Sequence, residues 1–116
     1  MRSQPWFLNL VMEAETSLFP LQLLARTRDI ERELGRRRIT PKGPRTIDID
    51  ILFYGTFVIN TKELQVPHPG IGKRRFVLEP LVEIAAALRH PVTGLTPGEM
   101  LRTLEPQAVR RLSLSL

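Results

Sequence analysis

The sequence contains no cysteine among its 116 residues, which excludes a disulfide framework, a thiolate metal site and a cysteine nucleophile. No apolar run approaches the roughly 18 residues needed to cross a bilayer, and Met1–Pro5 lacks the apolar stretch of a signal peptide. Hydrophobic residues make up 42% and charged residues 25%, as in ordinary globular proteins. We therefore expect one soluble, cytoplasmic domain over residues 1–116, with no membrane partner.

Lysine is scarce as well, with three residues (Lys42, Lys62 and Lys73) among the 17 lysines and arginines. Against 12 acidic residues this gives a net charge of +5 that arginine dominates. Arginine grips phosphate through planar, bidentate hydrogen bonds, so the composition favours an anionic partner such as a nucleotide, a phosphate or a nucleic acid. A generic basic surface explains the composition equally well.

Apolar spacing in the first part of the chain predicts a strand and then a helix. Residues 7–15 alternate as a strand does, which places Phe7 and Asn9 side by side on one face. A helix is expected to open near Pro20 and to stop near Gly35. Its core-facing stripe is predicted to be Leu23, Thr27, Ile30 and Leu34.

The rest of the chain mixes strands with helices, which predicts the α+β class. The clearest strand signal covers residues 46–54, followed by a turn at Gly55-Thr56 and a short strand over 57–60. Helices are expected over residues 76–88 and from Pro97 to Leu104, the second opened by a capping box of Thr96 and Glu99. Residues 112–116 alternate as an edge strand would.

Asp48 and Asp50 carry the main chemical signal. They lie two residues apart on the predicted strand 46–54, so both carboxylates share one face, while Ile47, Ile49 and Ile51 point into the core. Neighbouring carboxylates repel each other, which raises one pKa or requires a cation. Mg²⁺ suits such a pair because it completes its shell with water and phosphate oxygens. A solvated outer strand face is the alternative, but the preceding Gly43-Pro44-Arg45 turn favours a metal–nucleotide site.

Arginines surround this pair in the sequence. Arg36–Arg38 follows the predicted helix, and Arg45 ends the same loop, so several guanidinium groups are able to converge near the carboxylates. Phosphoryl transfer depends mainly on positioning and charge neutralisation, which such groups supply. Farther along, His68 is held between two prolines, and Arg74 and Phe76 lie two residues apart. No residue stands out as a dedicated general base, His68 included.

Three motifs occur in order along the chain: Gly43-Pro44-Arg45-Thr46-Ile47-Asp48-Ile49-Asp50-Ile51-Leu52, then Val66-Pro67-His68, then Arg74-x-Phe76-Val77-Leu78-x-Pro80-Leu81 with Glu83-Ile84-Ala85. In this order they resemble the 6-hydroxymethyl-7,8-dihydropterin pyrophosphokinases of folate biosynthesis. The resemblance extends from about Gln4 to Leu104. It implies a ferredoxin-like α+β sandwich that transfers pyrophosphate from ATP to the pterin and releases AMP.

The resemblance also implies roles for individual residues. Two Mg²⁺ ions are expected on Asp48 and Asp50, with ATP as co-substrate. Arg36 and Arg45 match the arginines that act during transfer. The remaining matches are ATP contacts at Glu31, Arg38, Ile51, His68 and Arg74, and pterin contacts at Phe7, Asn9 and Phe76.

The chain also departs from the family pattern. The family's opening strand, helix and strand are not found upstream of Gln4, so we expect an N-terminally truncated, partial domain with exposed strand edges, for which an oligomer is possible. The Arg-rich loop is one residue short, and Lys42 stands where an aromatic residue often covers the pterin. An inactive remnant and a small basic nucleic-acid-binding module are the alternative interpretations, although no nucleic-acid motif is recognised.

Overall fold

The computed structural model describes residues 9–36 and 47–104. These residues form three helices and two short strands in the order α1 (Pro20–Arg36), β1 (Ile59–Asn60), β2 (Gln65–Val66), α2 (Arg75–Ile84) and α3 (Pro97–Arg102), with a short 3-10 helix at Ile71–Lys73 between β2 and α2. The predicted α+β class is confirmed. Two compact units are present: Glu15–Pro69 in one, and residues 9–14 with 70–104 in the other.

Helix α1 begins at Pro20, as its sequence predicts, because proline suits the first helical position. Just before the helix, the Phe19 N–H donates to Gln22 Oε1 at 2.9 Å, so this backbone donor is satisfied by a side chain of the first turn. The predicted core stripe is wrong for its C-terminal half, since Ile30 and Leu34 are 42% and 39% exposed. Thr27 is the buried residue of α1, and its hydroxyl donates to the Leu24 carbonyl at 2.7 Å.

Residues 47–54 form no strand, so the strongest strand prediction is wrong over its described part. Ile47 is 48% exposed instead of lying in a core, whereas Ile49 and Ile51 are half-buried. Separate hydrogen bonds to neighbouring parts of the chain hold this segment, in place of the regular backbone pairing of a strand. Near its end, the Tyr54 hydroxyl donates to the Leu18 carbonyl, just before α1.

The turn at Gly55-Thr56 is confirmed: the Phe57 N–H donates to the Tyr54 carbonyl at 3.0 Å. Gly55 has a φ of 54°, in the left-handed region that favours glycine. The strand predicted over 57–60 shrinks to β1, which pairs antiparallel with β2, a strand that was not predicted. Leu64 and Val66 form the buried apolar centre of this unit.

The second unit has its core between α2 and α3. Leu78 is 0% exposed, and Val77, Leu81, Ile71 and Met100 are buried with it. Helix α3 packs against α2 and begins with the predicted capping box. Both helices end earlier than predicted, α2 at Ile84 and α3 at Arg102.

The strand predicted over residues 7–15 is absent from its described part, residues 9–15. Leu10 and Met12, which were to form the apolar face of that strand, are 72% and 74% exposed. Alternation therefore did not produce a strand here, because a strand also requires a paired neighbour. The edge strand predicted at 112–116 lies outside the described residues.

Candidate active site

A cavity of about 340 Å³ lies within the unit Glu15–Pro69. Helix α1 supplies one wall because Leu24, Thr27 and Glu31 recur at helical spacing and so share a face. The remaining walls come from residues 49–51, from residues 62–65 around β2, and from His68 with Pro69. The cavity thus brings together four predicted site residues: Glu31, Asp50, Ile51 and His68.

Two hydrogen bonds hold the carboxylate-bearing segment at this cavity. The Glu31 Oε2 atom accepts the Ile49 N–H at 2.6 Å, which joins the segment to α1. The Leu52 carbonyl accepts the His68 N–H at 2.8 Å, which joins it to the loop after β2. Backbone groups that a sheet would normally pair are thereby satisfied from two different sides.

Asp48 and Asp50 are both exposed, with half-buried Ile49 between them. The alternation predicted from sequence is kept here although no strand forms. Asp50 lines the cavity and Asp48 is not among its lining residues.

The donor set of these two residues fits Mg²⁺ in its chemistry. Carboxylates are hard oxygen ligands, and both are accessible to solvent and to a phosphate chain. Within residues 9–36 and 47–104, no group of three or more His, Cys, Asp or Glu side chains is arranged to hold a metal ion. A metal here would therefore rely on water and substrate oxygens for most of its shell.

The second unit contains another pair of predicted site residues. The Arg74 guanidinium lies over the Phe76 ring, with its carbon 5.9 Å from the ring centroid, a cation–π distance. Arg74 precedes α2 as its N-cap, and Phe76 lies in the first turn with 36% exposure. Asn9 is exposed and belongs to the same unit.

The predicted arginine cluster is described only in part. Arg36 ends α1, is exposed, and lies 4.0 Å from the Glu33 carboxylate. Its other predicted members, Arg38 and Arg45, lie outside the described residues. The same holds for Phe7, which was predicted to contact the pterin.

Sequence reasoning missed several residues that line the cavity. They are Leu24, Thr27, Arg28, Ile49, Lys62, Glu63, Leu64, Gln65 and Pro69. Helical spacing from Glu31 could have identified the α1 members, since positions three, four and seven residues earlier share its face. Residues 62–65 were missed because they lead into strand β2, which the sequence did not predict.

A model of the 7,8-dihydro-6-hydroxymethylpterin-pyrophosphokinase family matches residues 1–86. The chain belongs to this family, as its motifs predict. It is 50% identical over 86 residues to the 2-amino-4-hydroxy-6-hydroxymethyldihydropteridine pyrophosphokinase of Aquifex aeolicus, covering 74% of this chain and 54% of that protein. With the Bacillus subtilis protein of the same name, the identity is 48% over 91 residues, 78% of this chain and 54% of that protein.

A fungal relative belongs to a much longer chain. The folic acid synthesis protein fol1 of Pneumocystis carinii is 52% identical over 95 residues, which cover 82% of this chain and 13% of that protein. The chain thus spans about half the length of the two bacterial relatives and a small part of the fungal one. None of these matches favours a nucleic-acid-binding module. Within the described part of the chain, no helix has the length and apolar character needed to cross a membrane.

Proposed function

We propose that this chain transfers pyrophosphate from ATP to the hydroxymethyl group of 6-hydroxymethyl-7,8-dihydropterin, giving the pterin diphosphate and AMP. One observation carries the proposal: in a chain of this family, a single cavity is lined by Glu31, Asp50, Ile51 and His68. These are residues that the resemblance assigns to ATP and to its metal. The cavity, with the Asp50 carboxylate in its wall, therefore has side chains that suit a metal–nucleotide site.

The proposed reaction is an in-line displacement at the β-phosphorus of ATP. The hydroxymethyl oxygen forms a bond to that phosphorus, the bond from the β-phosphorus to the α,β-bridging oxygen breaks, and AMP leaves with that oxygen. The hydroxyl proton passes to solvent, because no residue is assigned as a dedicated base. Alignment and charge neutralisation then contribute most of the rate.

Each group of residues has a proposed task. Glu31, Ile51 and His68 line the cavity and contact ATP. Arg36 and Arg45 act during transfer by neutralising the phosphates, while Arg38 and Arg74 contact ATP. Asn9, Phe7 and Phe76 bind the pterin, whose flat ring suits aromatic stacking and whose amide-like edge suits an asparagine.

Asp48 and Asp50 are the proposed ligands of Mg²⁺, for which two ions are expected. When bound, the metal supplies charge neutralisation and alignment of the phosphates. Asp48 and Asp50 would hold the metal through their carboxylate oxygens, since both are exposed and the peptide N–H between them is bound by Glu31.

The same proposal covers the fold and the domain. We infer that residues 1–116 contribute to one pyrophosphokinase domain and that their elements belong to a ferredoxin-like sandwich. The two-stranded sheet and the helices are compatible with that architecture. The oligomeric state and a cytoplasmic location stay predictions.

The test is AMP release from Mg²⁺ and ATP, with and without the pterin, using this chain as given. Pterin-dependent AMP supports the proposal, provided that the Asp48→Asn/Asp50→Asn double variant gives none. AMP that forms equally without the pterin would contradict it, and so would no AMP at all; the second result favours an inactive remnant. DNA binding that weakens steeply with salt and ignores Asp48→Asn would favour the nucleic-acid alternative.

A further inference from the structure

The backbone amide between the two aspartates is bound by a side chain. The Ile49 N–H donates to Glu31 Oε2 at 2.6 Å, in a half-buried position. Residues 47–54 form no strand, so this amide has no place in a strand ladder. A hydrogen bond from an N–H to a carboxylate is stronger than one between neutral groups. Glu31 therefore performs the task that a neighbouring strand would otherwise perform.

The position of this bond determines what it controls. The Ile49 N–H belongs to the peptide plane that joins Asp48 to Ile49, so fixing it restricts ψ of Asp48 and φ of Ile49. Together with ψ of Ile49 and φ of Asp50, those two angles determine how the Asp48 and Asp50 side chains are directed relative to each other. The Leu52–His68 bond at 2.8 Å fixes the segment again beyond Asp50.

We infer that Glu31 is a positioning residue, which orients the two aspartates through the Ile49 N–H. What the aspartates bind rests on the proposed function; the orienting contact itself does not. The inference differs from the direct ATP contact that the resemblance implies for Glu31. The inferred task requires an oxygen that accepts the Ile49 N–H but requires no net charge.

Three variants of Glu31 distinguish a role as hydrogen-bond acceptor from a role through negative charge. Glu31→Gln keeps an oxygen at the same reach but removes the charge. Glu31→Asp keeps the charge but withdraws the oxygen by one methylene. Glu31→Ala removes both. Asp29→Ala is the matched control, because Asp29 is on the same helix, is exposed, and pairs with Arg32 away from the cavity.

The first readout is the Ile49 amide in the protein without ATP or pterin, followed by ¹H–¹⁵N NMR. We expect a downfield proton shift and slowed hydrogen exchange in the wild type, in Glu31→Gln and in Asp29→Ala. Both signatures should be lost in Glu31→Asp and Glu31→Ala. An Ile49 amide that is unchanged in Glu31→Ala would overturn the inference.

The second readout is Mn²⁺-induced broadening near Asp48 and Asp50, titrated as a measure of metal affinity. We expect about a tenfold loss in Glu31→Ala and Glu31→Asp, and less than about a threefold loss in Glu31→Gln. A loss in Glu31→Gln as large as in Glu31→Ala, with the Ile49 signature retained, would assign Glu31 a role through its charge and overturn the inference. Failure of the AMP assay with an intact Ile49 signature would instead contradict the proposed function alone.

Discussion

Glu99 and Thr96 hold each other at the start of α3. The Glu99 carboxylate accepts both the backbone N–H and the hydroxyl of Thr96, at 2.9 and 3.1 Å. In return, the Glu99 N–H donates to Thr96 Oγ1 at 3.3 Å. This reciprocal pair satisfies donors that the first turn of a helix otherwise leaves open.

Replacing Thr96 by alanine removes the side-chain half of this box. We expect Thr96→Ala to lower the free energy of unfolding by about 1 kcal/mol, the usual cost of losing an N-cap. Urea denaturation followed by circular dichroism measures the change. Thr56→Ala, at an exposed turn, is the control and should have little effect. Equal stability of Thr96→Ala and wild type would contradict the cap.

Glu99 should also make stability depend on pH. The hydrogen bonds from the Thr96 backbone and hydroxyl lower the pKa of Glu99 below its ordinary value, and Arg89 and Arg102 act in the same direction. Because the pKa is lower in the folded state, the stabilisation is complete above the unfolded pKa and is lost as pH falls through the folded one. The stability difference between wild type and Glu99→Gln should therefore narrow as the pH falls from neutral through the range in which a glutamate carboxylate takes up its proton. A difference that stays constant or widens would be incompatible with this linkage.

His90 closes the loop between α2 and α3. Its Nδ1 accepts the backbone N–H groups of Val92 and Thr93 at 3.1 and 3.2 Å. The Oδ1 atom of an asparagine occupies an equivalent place, so His90→Asn should retain most of the stability. His90→Ala should lose about 1 kcal/mol because the two N–H groups lose their acceptor. Thermal unfolding of both variants checks this, and equal losses would show that the acceptor is unimportant.

The two aspartates are expected to serve ligand binding and not folding. Because Asp48 and Asp50 are exposed, Asp48→Asn and Asp50→Asn should leave the melting temperature within a few degrees of wild type. Each should abolish detectable Mg²⁺-dependent binding of ATP, measured by calorimetry with and without EDTA. Wild-type affinity in either variant would remove that residue from the proposed metal site.

Arg45 is predicted to act during transfer. Arg45→Ala should lower kcat by orders of magnitude and weaken ATP binding much less, since an interaction made only in the transition state affects turnover alone. Steady-state kinetics and an equilibrium titration separate the two. A higher dissociation constant with unchanged kcat would reassign Arg45 to ground-state binding.

Local signals predicted the helices well. Pro20 marks the start of α1, and Thr96 with Glu99 marks the start of α3, because both effects depend on residues within one helical turn. Gly55 likewise predicted its turn, because a positive φ is a property of one residue. The ordered motifs predicted the family.

Strands were predicted poorly, because a strand forms only with a paired neighbour, and the local sequence does not show which segment that neighbour is. Residues 47–54 alternate clearly, yet the Ile49 N–H is bound by Glu31, 18 positions away. β2 was missed because two residues, Gln65 and Val66, are too few for strand alternation to be recognised. The motifs predicted several residues of the candidate site. The wall at residues 62–65 was not predicted, because it consists of the turn before β2 and the first residue of that strand.

Helix α2 contains Pro80, and this has a consequence for how the unit assembles. Proline has no N–H, so the Phe76 carbonyl receives no intrahelical hydrogen bond from position 80. Helix α2 has ten residues, fewer than the roughly 12 that an isolated helix needs in water. An interior proline also makes the helix about 3 kcal/mol less favourable than alanine at the same position would. The α2 sequence alone should therefore be a coil in water.

Its helical form is then acquired together with the burial of Leu78 and the docking of α3. Phe76, in the first turn of α2, is consequently placed by this docking and not by the helix's own propensity. Loosening of α3 should therefore disturb the Phe76 ring through helix α2, although Phe76 is at least 21 positions from every residue of α3 along the chain.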